Sequence, residues 1–124
     1  MEIVDKYLNI LQEQYNPSVA TTNIHGEYQN AWTECFDSKC SKETDNKYTK
    51  NYCKTECKIA AANAAITRLN AQSSNCTGTR DPKKCIDSLR SATDSYKDKI
   101  TSAREMQDTI ASKEAEFRRK EVEV

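Results

Sequence analysis

Apolar residues recur every three or four positions along most of this chain, and no stretch shows the two-residue alternation of a half-buried strand. Residues 2–15 carry Ile3, Val4, Tyr7, Leu8, Leu11 and Tyr15 on one face, which predicts a short amphipathic helix. Asn16-Pro17-Ser18 is expected to end it, because the residue before a proline avoids the helical region. Val19 to Gly26 is polar, rich in Thr and Asn, and reads as a connecting loop. A second helix is expected from about Glu27 to Lys39, with Tyr28, Trp32, Cys35, Phe36 and Lys39 on one face. Trp32 and Phe36 are the largest side chains available and are expected at the centre of the core.

Ser41 to Asn46 reads as a turn, with Thr44 or Asp45 capping a third helix over Lys47 to Gln72. On that helix Tyr52, Cys53, Glu56, Cys57, Ala60, Ala61, Ala64 and Arg68 share one side, and Ile59, Ile66 and Leu69 widen the apolar stripe. The alanines favour helix and let a neighbouring helix approach closely. After a loop at Ser73 to Arg80, Asp81-Pro82 supplies an N-cap followed by a proline at the first helical position.

From there a long helix is expected over 81–123. Leu89, Tyr96, Ala103, Ile110, Phe117 and Val124 fall seven residues apart, with Ile86, Thr93, Ile100, Gln107, Glu114 and Glu121 in a companion seam. Such a helix is roughly 60 Å long, against roughly 38 Å for the third. It is expected to outrun its hairpin partner and to hold surplus apolar surface. Tyr96, Ile100, Ala103, Ile110 and Phe117 are the candidate interaction residues, needing the N-terminal helix or another protein chain as cover.

Composition changes the picture in one respect. Only 36% of the 124 residues are hydrophobic and 31% are charged, which leans toward disorder or toward long solvated helices. Two glycines and two prolines leave few breakers, and six cysteines can replace missing core. Nineteen acidic against nineteen basic residues argue against nucleic acid or an anionic membrane surface as the partner. No apolar run approaches a membrane span, and the N-terminus does not read as a secretory signal.

Six cysteines allow fifteen connectivities. In an antiparallel hairpin the numbers of opposed residues have a nearly constant sum, which favours Cys35 with Cys57 and Cys40 with Cys53. Cys76 with Cys85 would clamp the loop entering the long helix. One feature resists: Cys35 and Cys40 are five apart and point away from a common α-helical face, so Cys40 is expected just past the helix end. Zinc sites prefer closer cysteine pairs, and the single histidine, His25, falls in the expected loop. No Cys-x-x-Cys marks a redox site. Disulfides are therefore preferred, with no metal or cofactor expected.

The hairpin from Cys35 to Cys57 resembles the coiled-coil-helix-coiled-coil-helix proteins of the mitochondrial intermembrane space, which are helical hairpins closed by two parallel disulfides. The resemblance rests on Cys53-Lys-Thr-Glu-Cys57, which fits that family's Cys-x3-Cys spacing, whereas Cys35 and Cys40 depart from it. It implies a shared stapling strategy and an oxidising location. Large DNA viruses that build their own oxidation machinery offer a second such location.

Lys47, Lys50, Lys54 and Lys58 form a basic stripe that reads as a solvated face. No nucleophile beside a base, paired carboxylates, phosphate loop or dinucleotide fingerprint is present, so no catalytic residue is assigned. The expected fold is all-α: one domain over 1–124, with a disulfide-stapled antiparallel helical hairpin (27–72) inside a three- to four-helix bundle and a long C-terminal helix. The expected role is a non-enzymatic structural or interaction protein, a helical subunit that clips or braces a larger assembly such as a virus particle shell or a mitochondrial complex. It would work by self-association or hetero-assembly through the C-terminal helix, in an oxidising or assembly-linked compartment. The alternatives are a secreted monomeric helical binding module and a thiol-disulfide carrier.

Overall fold

A computed structural model describes residues 15–41 and 47–123. The helix expected over 2–15 and the caps expected at Thr44 or Asp45 lie outside these residues, apart from Tyr15, which is not helical. The described residues form an all-α fold of three helices: α1 (Pro17–Cys35), α2 (Lys47–Gln72) and α3 (Pro82–Glu123). A π-helical turn (Phe36–Cys40) extends α1, and a 3-10 turn (Ser73–Gly78) follows α2.

α1 begins ten residues earlier than the sequence pattern suggests, so the loop expected at Val19 to Gly26 is helix. Asn16-Pro17-Ser18 starts a helix here. Asn16 has extended backbone, its side-chain oxygen accepts from the Ser18 amide at 2.9 Å, and Pro17 occupies the first turn, where its missing N–H costs nothing. The Thr21 and Thr22 hydroxyls donate to the Ser18 carbonyl. The polar run is helical because its apolar residues sit four apart. Ala20 and Trp32 are partly buried, while Ile24 and Tyr28 are in the core.

α2 runs antiparallel to α1 and α3 antiparallel to α2. The buried side of α2 is Thr55, Cys57, Ala61, Ala62, Ala65 and Leu69; Glu56, Ala60 and Ala64, expected on the same side, are exposed. Trp32 and Phe36 are not at the core centre. They stack on each other with centroids 6.3 Å apart and are only partly buried. The disulfides draw α1 and α2 to Cα–Cα distances of 5.5–5.6 Å, which leaves no room for an indole between them. The alanines of α2 fill that narrow space, and the core centres on Ile24, Tyr28, Ala61, Ala62, Ala65, Leu69, Leu89 and Tyr96.

On α3 the seven-residue pattern places Leu89, Tyr96, Ala103 and Ile110 in the interior, with Thr93 and Ile100 from the companion seam. Asp81 caps the helix, accepting from the Lys84 amide at 3.0 Å. α3 outruns α2, yet the excess is shared between the two ends. At the start, the 3-10 turn and the Cys76–Cys85 bridge meet the first turns of α3. At the far end Phe117 packs on Tyr48, the second residue of α2, with centroids 6.1 Å apart. Among the described residues, only those after Phe117 run past the start of α2.

Candidate functional site

Among the described residues, the densest chemistry is the sulfur cluster that joins α1 to α2. Cys53 and Cys57 stand one turn apart on α2 and face α1. In an α-helix two residues five apart are rotated about 140° from each other, so Cys35 and Cys40 could not both face α2. The π-turn removes the difficulty. The Ser41 amide donates to the Phe36 carbonyl five residues back, at 2.9 Å, and this wider turn brings Cys40 under Cys35. Cys40 thus lies inside the extended helix rather than past its end.

The bridges are Cys35–Cys57, Cys40–Cys53 and Cys76–Cys85. No described cysteine is free. In the first two, one partner is sealed in the core (Cys57 1%, Cys40 0% exposed) and the other is partly open. The two bridges touch each other: Cys40 Sγ is 3.5 Å from Cys57 Sγ. The sulfurs of Cys40, Cys53 and Cys57 lie within 4.8 Å of one another. Beside them, Lys50 and Lys54 hold their ammonium groups over the Phe36 ring at 5.9 and 4.8 Å, and Trp32 Nε1 donates to the Lys54 carbonyl at 3.4 Å.

A second polar group sits between α1 and α3. His25 Nδ1 and the Tyr96 hydroxyl are 2.9 Å apart, and Tyr28 meets Tyr96 edge-on at 5.2 Å. Burial raises the pKa of Tyr28. It also raises that of Tyr96, with a further upward push from the Tyr28 phenolate. His25 is thus tied to the bundle, not to a loop. Nearby, Arg68 forms a two-bond ion pair with Glu27 at 3.0 and 3.1 Å on the exposed edge of α1 and α2.

The expected interaction residues prove to be mainly core. Tyr96, Ile100, Ala103 and Ile110 are 8% exposed or less, because α2 packs along this stretch of α3. Phe117 alone of the five stays half exposed. Tyr52, which the sequence reading placed on the apolar side of α2, is exposed. It lines an open apolar groove of about 470 Å³ with Thr49, Cys53, Glu56, Ala111 and Glu114. This groove lies on the α2–α3 pair near its far end, and Cys53 in its lining is bridged to Cys40 of the π-turn. No described helix is long and apolar enough to cross a membrane. Three disulfides mark an oxidising environment.

Compared with protein-family models, curated proteins and solved structures, the chain matches none.

Proposed function

We propose that the chain is a non-enzymatic structural and interaction protein, a small stapled helical subunit that braces a larger assembly such as a virus particle shell or a mitochondrial complex. The observation that supports this reading is the far end of the α2–α3 pair. There Tyr52 and Phe117 are 41% and 50% exposed beside an apolar groove, and the Cys40–Cys53 bridge anchors the α2 side of that groove. Exposed aromatics on a rigid surface are the residues that interfaces favour. The site chemistry agrees. His25 is committed to Tyr96, and the cysteines are committed to bridges.

Light scattering of the oxidised chain over a concentration series tests it. Concentration-dependent self-association that is lost in Tyr52→Glu/Phe117→Glu supports an assembly role for this end. A monomer at every concentration favours the second reading, a secreted helical binding module. The burial of Tyr96, Ile100, Ala103 and Ile110 within the chain's own core speaks for that alternative. Graded reduction addresses a thiol-disulfide carrier, which requires one bridge far more labile than the others.

A further inference from the structure

We propose that, when the two bridges between α1 and α2 are reduced, Cys35, Cys40, Cys53 and Cys57 form a tetrathiolate site for Zn²⁺, so that the same four sulfurs join the helices in either redox state. This does not depend on the assembly reading above.

The geometry carries it. Zinc bound by four cysteines takes Zn–S bonds of about 2.3 Å in a tetrahedron, which sets neighbouring sulfurs about 3.8 Å apart. Cys40 Sγ and Cys57 Sγ, which are not bonded to each other, already stand 3.5 Å apart. Together with Cys53 their sulfurs fall within 4.8 Å of one another. Cys35, the fourth, is the bridge partner of Cys57. The Cα atoms across each bridge are 5.5–5.6 Å apart, so side-chain rotation alone must open each pair to the zinc spacing. Two ligands come from one turn of α2 and two from the π-turn region of α1. A metal among them would therefore cross-link the same two helices at the same level.

Burial and charge fit the same ligand. Cys40 and Cys57 are sealed from solvent, which keeps water from competing for the metal. A zinc tetrathiolate carries two net negative charges. Lys50, Lys54 and Lys58 stand on the same helix as Cys53 and Cys57, all partly buried, and Lys50 and Lys54 lean over the ring of Phe36 beside Cys35. The basic stripe gains a purpose as the counter-charge.

The chemistry balances. A dithiol reductant supplies two electrons and two protons to each bridge and leaves as its own disulfide, which gives four thiols in all. Zn²⁺ then displaces the four thiol protons as it binds.

The test uses the full chain under anaerobic conditions, with Cys76→Ser/Cys85→Ser so that only the four cysteines remain. After phosphine reduction, Zn²⁺ is titrated and followed by native mass spectrometry, and Co²⁺ by its thiolate charge-transfer absorption. The expected result is one metal per chain, four thiols protected from alkylation, and the helical circular dichroism of the oxidised protein kept or restored on zinc addition. Adding Cys40→Ser should weaken zinc binding at least about tenfold, the scale on which even outer-shell changes act. No zinc uptake by the reduced chain, folded or unfolded, would overturn the proposal. So would an affinity that changes less than about tenfold in Cys40→Ser, since Cys40 would then not be a ligand.

Discussion

The amide of Ser41 bonds to the carbonyl of Phe36, five residues back, and the π-turn it closes sets Cys35 and Cys40 on the same side of their helix. Physically it is a one-residue surplus absorbed within a turn. Deleting Ser38, which is exposed, should leave the two cysteines four apart, a spacing an ordinary α-helix accommodates. Both bridges should still form in the deletion variant. Inserting one alanine at the same place should cost the Cys40–Cys53 bridge. Peptide mapping of the two variants distinguishes them.

The bridges should differ modestly in worth. Their sequence separations are 22, 13 and 9, and the chain-entropy relation gives about 3.4, 2.9 and 2.6 kcal/mol respectively. Paired Cys→Ser replacement of Cys35 and Cys57 should lower unfolding free energy the most in chemical denaturation. Replacement of Cys76 and Cys85 should lower it the least, and it should loosen mainly the entry to α3.

Burial, not surface charge, should dominate elsewhere. Leu69 is 1% exposed in a core of small residues, and Leu69→Ala should cost about 2–5 kcal/mol. The Glu27–Arg68 pair is more than half exposed on both sides. A double-mutant cycle should return no more than about 1 kcal/mol for it, falling as salt is added.

Stability should fall in alkali. A tyrosine whose folded pKa is raised binds its proton more tightly when folded. Its contribution is complete below the unfolded value of about 10 and is lost as pH climbs through the raised value. Tyr28 and Tyr96 both have this sign through burial. Denaturation midpoints of the native chain should drop above about pH 10, and Tyr28→Phe/Tyr96→Phe should flatten that drop even if its stability near neutrality is lower.

The stapled hairpin and the long last helix were legible because they rest on local rules. Opposed positions in an antiparallel pair have a constant sum, and Asp81-Pro82 is an unambiguous helix start. The seven-residue recurrence from Leu89 to Ile110 selects the buried face of α3. The first half of α1 was not legible, because Asn16-Pro17 ends one helix or begins the next with the same residues. Here the Asn16 side chain turned to the Ser18 amide decides for a start. The places of Trp32 and Phe36 were hidden for a different reason. Size alone puts them in a core, but the short crosslinks at Cys35 and Cys40 close the space they would need. Four of the five candidate interaction residues on α3 are buried within the chain and Phe117 is half exposed, because helix lengths say nothing of how an overhang is divided. The contact of Tyr48 with Phe117 shows it nearly used up at the far end. The apolar groove beside Tyr52 had no sequence signal, since it is made by two helices together.

The most direct measurement is the mass of the intact chain before and after reduction, followed by tryptic mapping without reduction. Trypsin cuts after Lys39, Lys50, Lys54 and Lys58, so all four hairpin cysteines fall on different fragments. The stapled bundle predicts a gain of about six daltons on reduction, two hydrogens per bridge. It also predicts residues 40–42 linked to 51–54, and residues 7–39 linked to 55–58. Free thiols in the native protein, or residues 40–42 linked to 55–58, would contradict it.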